Sequence, residues 1–152
     1  MRLVLLVFTV LFLNSCKEKK EIDTKKETPK EIVSMKSNDS RISLKLNAMQ
    51  KEHQLSNMRS HLKAVQDLVL LISNDEFDKA SEVAYTKLGS TTEMRLMCAS
   101  FGNKQFEDLG LKMHKDADRM SEILKTKDKN ESLKALSTTI NSCVSCHATF
   151  RQ

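Results

Sequence analysis

Two cysteines and a histidine near the end of the sequence have the spacing of a single binding site. Cys143, Cys146 and His147 form the pattern C-x-x-C-H. Residues three and four positions apart on an α-helix share one face, so the two sulfurs and the imidazole would point to the same side. This is the pattern of c-type haem attachment, in which each thiol forms a thioether with a vinyl group and the imidazole binds iron. The motif predicts one covalently bound haem c.

Two other kinds of site use the same residue types. A disulfide between Cys143 and Cys146 leaves the adjacent histidine unexplained, and a redox-active C-x-x-C opens a helix in a βαβ unit that this sequence does not indicate. A zinc site usually takes four ligands, and only Cys98 or a distant histidine is available as the fourth. Both alternatives stay open, but haem attachment accounts for all three residues of the motif.

The elements that must position this motif are predicted to be helices. The sequence has only three glycines, and beyond residue 41 its apolar residues recur at spacings of three and four. Four amphipathic helices joined by short connections predict an all-α fold, an antiparallel four-helix bundle over residues 42–152. The segment from Met94 to Phe101 is predicted to be a short helical turn that packs over the bundle.

The helix boundaries and buried faces can be predicted from caps and periodicity. The first helix is expected to end near Ser73, where a capping box with Glu76 would open the second, and Gly89 would end the second. The third runs from about Asn103 to Lys125, and the fourth opens at Asp128. The predicted inward faces carry Leu55, Met58, Leu62, Val65, Val69 and Ile72 in the first helix, Phe77, Ala80, Val83, Ala84 and Leu88 in the second, Phe106, Leu109, Met113, Ala117, Met120 and Leu124 in the third, and Leu133, Leu136, Ile140, Cys143, His147 and Phe150 in the fourth.

The last helix resembles the C-terminal signature of the cytochrome c′ family. Residues 143–151 read CVSCHATFR and match the family pattern C-x-x-C-H-x-x-[YF]-[RK]. The resemblance implies a four-helix bundle with the haem on its last helix and with Arg151 beside a haem propionate. It also implies that a side chain of the first helix approaches the free side of the iron. In the family, an apolar residue there accompanies high-spin iron and nitric oxide or carbon monoxide binding, whereas a methionine accompanies low-spin iron and electron transfer.

The sixth iron ligand is predicted to come from the first helix. Counting back from the helix end, by analogy with the family, leads to Met58, which shares the predicted seam with Leu55 and Leu62. His53 and His61, about one turn to either side, are the alternative ligands, and Met49 is a weaker candidate near the open end. His114, on the third helix, is predicted to be solvated.

The start of the sequence predicts export and a lipid anchor. Residues 1–15 contain Arg2 and then an apolar run too short to span a bilayer, as in a signal peptide. Cys16 follows in a context that resembles a bacterial lipobox and is predicted to carry the lipid. The stretch 16–41, rich in Lys and Glu, predicts a flexible tether. We therefore expect the domain on the periplasmic side or cell surface of a bacterial membrane.

These features together predict a low-spin, lipid-tethered c-type cytochrome, which is an electron carrier and not an enzyme. A redox partner protein is expected, and the family resemblance implies that two copies could form a homodimer. One alternative function is a high-spin binder of nitric oxide or carbon monoxide, and another is a helical lipoprotein adaptor without haem. Nucleic-acid binding is not expected, because aromatic residues are scarce and the net charge of +5 forms no basic stripe.

Overall fold

A computed structural model describes residues 39–152; the predicted signal peptide, Cys16 and most of the predicted tether lie outside the described residues. The all-α prediction is confirmed, since helices account for nearly all regular structure in this range. The elements in chain order are β1 (Ile42–Ser43), α1 (Ala48–Ser73), α2 (Phe77–Val83) with a π-helical extension (Ala84–Leu88), α3 (Thr92–Ser100), α4 (Lys104–Leu124), α5 (Lys129–Thr149) and β2 (Phe150–Arg151).

Polar side chains cap the starts of the helices. Asn103 Oδ1 accepts a hydrogen bond from the Phe106 amide at 3.0 Å, and Asp128 Oδ1 accepts one from the Glu131 amide at 3.0 Å. Such caps satisfy amide groups that have no partner within the helix. The predicted starts of α4 and α5 are therefore confirmed, and the short helix predicted between α2 and α4 is present as α3.

The predicted capping box at Ser73 is wrong. Ser73 is the last residue of α1, and its hydroxyl donates to the Leu70 carbonyl at 2.7 Å. The chain turns through Asp75, which has a positive φ of 60°, and α2 begins at Phe77 with no side-chain cap from Glu76. The Ser-x-x-Glu spacing thus spans the connection between two helices rather than the first turn of one.

The core lies between α1, α2, α4 and α5, but the buried face of α1 is only partly the one predicted. Ile72 is buried as predicted, and Ala64 and Leu68 are buried as well, whereas Leu62 and Val69 are 72% and 51% exposed. The alanine lets the backbone of α1 approach its neighbours, a role that a pattern of large apolar residues does not reveal. Leu55 and Leu133, also predicted to be buried, are exposed. The predicted inward faces of α2 and α4 agree with the core residues.

A buried carboxylate joins α4 to α5. Asp116 Oδ2 accepts hydrogen bonds from the Ser142 hydroxyl on α5 at 2.7 Å and from Lys112 Nζ at 2.7 Å, and Arg119 pairs with the other oxygen. Burial alone would raise the pKa of Asp116, but these hydrogen bonds outweigh it and the pKa is lowered. Ser142 precedes Cys143, so this contact helps to hold the motif-bearing end of α5 against α4.

The two ends of the described chain meet in a short parallel strand pair. Ile42 pairs with Phe150 and Ser43 with Arg151. This pairing was not predicted, because two-residue strands have no periodicity to detect. Among residues 39–152, no helix is long and apolar enough to span a bilayer.

Candidate functional site

A cavity of about 330 Å³ opens among α1, α3, α4 and α5, close to the strand pair. Its walls are mainly apolar and include Leu62, Val65, Phe101, Phe106 and Ile140. The polar or sulfur-bearing side chains that line it include six candidate site residues of the sequence: Met58, His61, Cys143, Cys146, His147 and Arg151. The fold therefore brings residues from the first and last helices to one cavity.

The C-x-x-C-H motif occupies the last turns of α5, as predicted. Cys143 and Cys146 are half-buried free thiols that line the cavity, and His147 lies at its exposed rim. The Cys143 thiol donates to the Thr139 carbonyl at 3.5 Å, one turn earlier on the same helix. The helix thus presents two sulfurs and one imidazole to one side, which is the arrangement expected for thioether attachment beside an axial ligand.

Burial raises the pKa of both motif thiols. For Cys143 the cause is loss of solvation, and for Cys146 the nearby Cys143 adds to it. Both groups are therefore neutral thiols near pH 7. Redox-active C-x-x-C pairs have the opposite property, because a lowered thiol pKa is what makes them reactive in exchange.

Two side chains of α1 that could bind iron line the same cavity. Met58 is half-buried, while His61 is only 7% exposed and its Nε2 atom has no hydrogen-bond partner. The other two candidates of this helix, Met49 and His53, are exposed and do not line the cavity. The structure thus separates Met58 and His61 from the remaining candidates.

His114 is buried, so the prediction of a solvated residue is wrong. Its Nδ1 donates to the Leu88 carbonyl at 2.7 Å, and its ring meets that of His61 edge to face. A buried histidine escapes sequence analysis because its polarity masks its place in the helix pattern. Burial lowers the pKa of His61 to about 4, with a further contribution from His114, and burial also lowers the pKa of His114. Both rings are neutral near pH 7.

Two arginines lie near the mouth of the cavity. Arg151 lines the cavity, and its Nε lies 3.8 Å from the Asp39 carboxylate. Asp39 also pairs with Arg41 at 2.7 Å, and this pair holds the pKa of the carboxyl at about 2. Arg41 Nη1 donates to the backbone carbonyl of His147 at 3.3 Å. Sequence reasoning missed Arg41, because it is far from the motif in the chain and no pattern links the two.

A third thiol belongs to the same cavity. Cys98 on α3 is buried and lines the cavity, and the pKa of its thiol is raised to about 11, chiefly by burial and then by Cys146 and Glu107. It packs where α3 crosses Gly110 of α4: a β-carbon at position 110 would lie 2.7 Å from Cys98 Sγ. Sequence analysis considered Cys98 only as a possible fourth zinc ligand, and the structure makes it part of the cavity wall.

Within the part of the chain that the structure describes, no group of three or more His, Cys, Asp or Glu side chains could hold a metal ion. A haem iron takes at most two protein ligands, so that finding does not bear on haem. No protein-family model matches the chain, and comparisons with curated proteins and with solved structures find no significant match.

The residues present fit a flat, largely apolar cofactor attached through two sulfurs. The cavity walls are apolar, the two motif thiols face it from one helix, and an imidazole lies beside them. On α1, a thioether and an unpartnered imidazole face the same space. The charged groups stay at the mouth, where carboxylates of a bound group could reach Arg151 without being buried.

Proposed function

We propose that this protein is a monohaem c-type cytochrome that carries electrons outside the cytoplasm and is tethered to a membrane by a lipid. The observation that carries this proposal is the position of Cys143, Cys146 and His147, which line one largely apolar cavity from the end of α5. No catalytic group is assigned, because an electron carrier needs only a bound redox centre with an accessible edge.

The proposed fold is an antiparallel four-helix bundle formed by α1, α2, α4 and α5. Contacts at both ends of α1 support it. Lys129, which opens α5, lies 2.7 Å from the Asp75 carboxylate and 3.2 Å from the Ser73 carbonyl, just where α1 ends. Before α1 begins, Arg41 reaches the carbonyl of His147 near the end of α5. The two helices are therefore expected to run in opposite directions.

Each part of the site has a task in this proposal. The thiols of Cys143 and Cys146 would each add to one vinyl group, so that an S–H bond and a C=C π bond are replaced by a C–S and a C–H bond without net oxidation, and His147 would bind the iron. The bound haem supplies a one-electron couple, whose potential depends on axial ligands and burial. The apolar wall formed by Val65, Phe106 and Ile140 would keep water from the cofactor. Arg151 would pair with a propionate at the mouth.

A haem stain of the denatured protein tests this function directly. Only thioether-bound haem stays with the chain, so the protein expressed in cells that attach c-type haem should stain. The Cys143→Ser/Cys146→Ser double variant should not stain, and it should unfold at a lower temperature because the haem fills core space. Cys98→Ser is the matched control, since this third thiol lines the same cavity outside the motif, and it should keep the stain. Wild-type protein without stain would overturn the proposal in favour of the adaptor without haem.

Binding of a diatomic gas at the iron is the second candidate function. The observation that favours it is the unpartnered Nε2 of His61, because an imidazole in the cavity wall could donate a hydrogen bond to a ligand at a five-coordinate iron. The two functions differ in spin state. A low-spin reduced spectrum and slow carbon monoxide uptake are expected for the carrier. A high-spin spectrum with immediate uptake would favour the gas binder.

A further inference from the structure

His61 has a hydrogen-bonding atom that the protein leaves unused. The side chain is more than nine-tenths buried, lines the cavity, and has no partner for Nε2. Leaving a buried polar atom unpaired costs free energy. The neighbouring ring of His114 meets the His61 ring edge to face but makes no hydrogen bond with its Nε2. A partner for Nε2 must therefore come from water or from a group bound in the cavity.

Met58 has no comparable need. Its thioether is a weak acceptor that packs well in an apolar wall, and its side chain is only half-buried. Packing against the cavity wall is therefore enough to explain the half-buried position of Met58. The position of His61 is different, because an imidazole in an apolar wall is costly unless something binds it.

The heights of the two side chains along α1 leave both within reach of a group held by His147. Lys129 lies beside Ser73, where α5 begins and α1 ends. Because equal numbers of residues separate Lys129 from His147 and Ser73 from Leu55, His147 is expected at the level of Leu55. At a rise of about 1.5 Å per residue, Met58 and His61 lie about one and two turns from this level, on the side of Ser73. Side chains lean toward the N-terminus of their own helix, so His147 and the α1 residues lean toward each other.

We infer that His61, through Nε2, is the sixth ligand of the iron, on the side opposite His147, and that Met58 packs beside it. This inference rests on the proposed haem site. A neutral imidazole is the form that binds a metal, and the edge-to-face contact with the His114 ring limits how the His61 ring can turn. Two imidazole ligands also give the haem a lower reduction potential than a methionine and a histidine would.

Proton NMR of the reduced wild-type protein provides the first test. An iron-bound methionine has a methyl resonance shifted far upfield by the ring current of the haem, and a bound imidazole has none. We expect low-spin iron and no such methyl resonance. A strongly shifted methionine methyl would overturn the inference, and so would a high-spin wild-type protein. This test does not depend on whether any variant folds.

Variants provide the second test. His61→Ala should become high-spin and bind carbon monoxide rapidly, and added imidazole should restore the low-spin spectrum by filling the vacated space. Met58→Leu is the matched control on the same helix and should stay low-spin. The reverse pattern, in which Met58→Leu opens the iron and His61→Ala does not, would overturn this inference and leave the cytochrome proposal intact. Absence of covalent haem from every protein would instead overturn the cytochrome proposal itself.

Discussion

The imidazole rings of His61 and His114 meet edge to face with their centroids 5.7 Å apart, yet of the two only His114 donates a hydrogen bond to the backbone of a neighbouring element. That bond, to the carbonyl of Leu88, ties α4 to the π-helical end of α2. Both rings line the cavity, but only the His114 ring is held by a hydrogen bond to the backbone of another element.

His114→Ala should therefore destabilise the protein. The change removes a buried ring and leaves the Leu88 carbonyl without its donor, which together should cost about 2–4 kcal/mol. Urea unfolding at neutral pH measures the loss. His53→Ala, which removes an exposed ring on α1, is the control and should change stability by less than about 0.5 kcal/mol. Equal effects of the two changes would show that the Leu88 contact contributes nothing.

Gly110→Ala should disturb the contact between α3 and α4. The new methyl group would lie 2.7 Å from Cys98 Sγ, so α3 must move away at a cost of about 1–3 kcal/mol, although alanine favours the helix itself by about 1 kcal/mol. The double variant Cys98→Ala/Gly110→Ala should recover most of the loss, because it removes the colliding sulfur. A double-mutant cycle of unfolding free energies measures this coupling, and additive effects would contradict the contact.

Asp116→Asn should remove a stabilisation that depends on pH. The folded-state pKa of Asp116 is lowered, so the unfolded chain binds the proton more readily. The stabilisation by Asp116 is fully present at pH values above the pKa of an aspartate in the unfolded chain, about 4. It is lost as the pH falls through the lower pKa of Asp116 in the folded protein. At pH 7 the variant should be less stable by about 1.5–3 kcal/mol, since charged hydrogen bonds are lost. Denaturant midpoints of the two proteins should converge in acid, and a constant difference across pH would contradict the assignment.

Cys16→Ser should release the protein from membranes. Cys16 is the predicted lipid attachment site, and within residues 39–152 no helix could hold the protein in a bilayer. The variant should appear in the soluble fraction after a salt wash, whereas Cys98→Ser should remain with the membrane. A Cys16→Ser protein that stays membrane-bound would assign the anchor to another feature of the chain.

Sequence analysis predicted the helices better than the faces they bury. The caps at Asn103 and Asp128 and the segment α3 follow from local signals, which a single sequence carries. The burial of α1 depends on its neighbours: Ala64 is buried because another helix approaches it, while Leu62 remains exposed. No local pattern distinguishes those outcomes, because both residues belong to apolar stripes of helical spacing.

The same limit applies to the candidate site. The spacing of Cys143, Cys146 and His147 is local, so the motif was identified without the structure. The walls opposite it come from distant parts of the chain, and His61, His114, Cys98 and Arg41 acquire their positions only through tertiary packing. Polar residues that a fold buries are the hardest to predict, since their chemistry suggests the surface.

The pairing of Ile42 with Phe150 joins segments separated by nearly the whole described chain. Closing so long a loop costs more conformational entropy than forming the contacts between neighbouring helices, so this pairing is expected late in folding. The mouth of the cavity beside it would remain open until then. In a folding intermediate with packed helices and an unpaired β1, a bulky planar group could enter the cavity. The interval before β1 pairs with β2 would then limit the time available for attachment of that group.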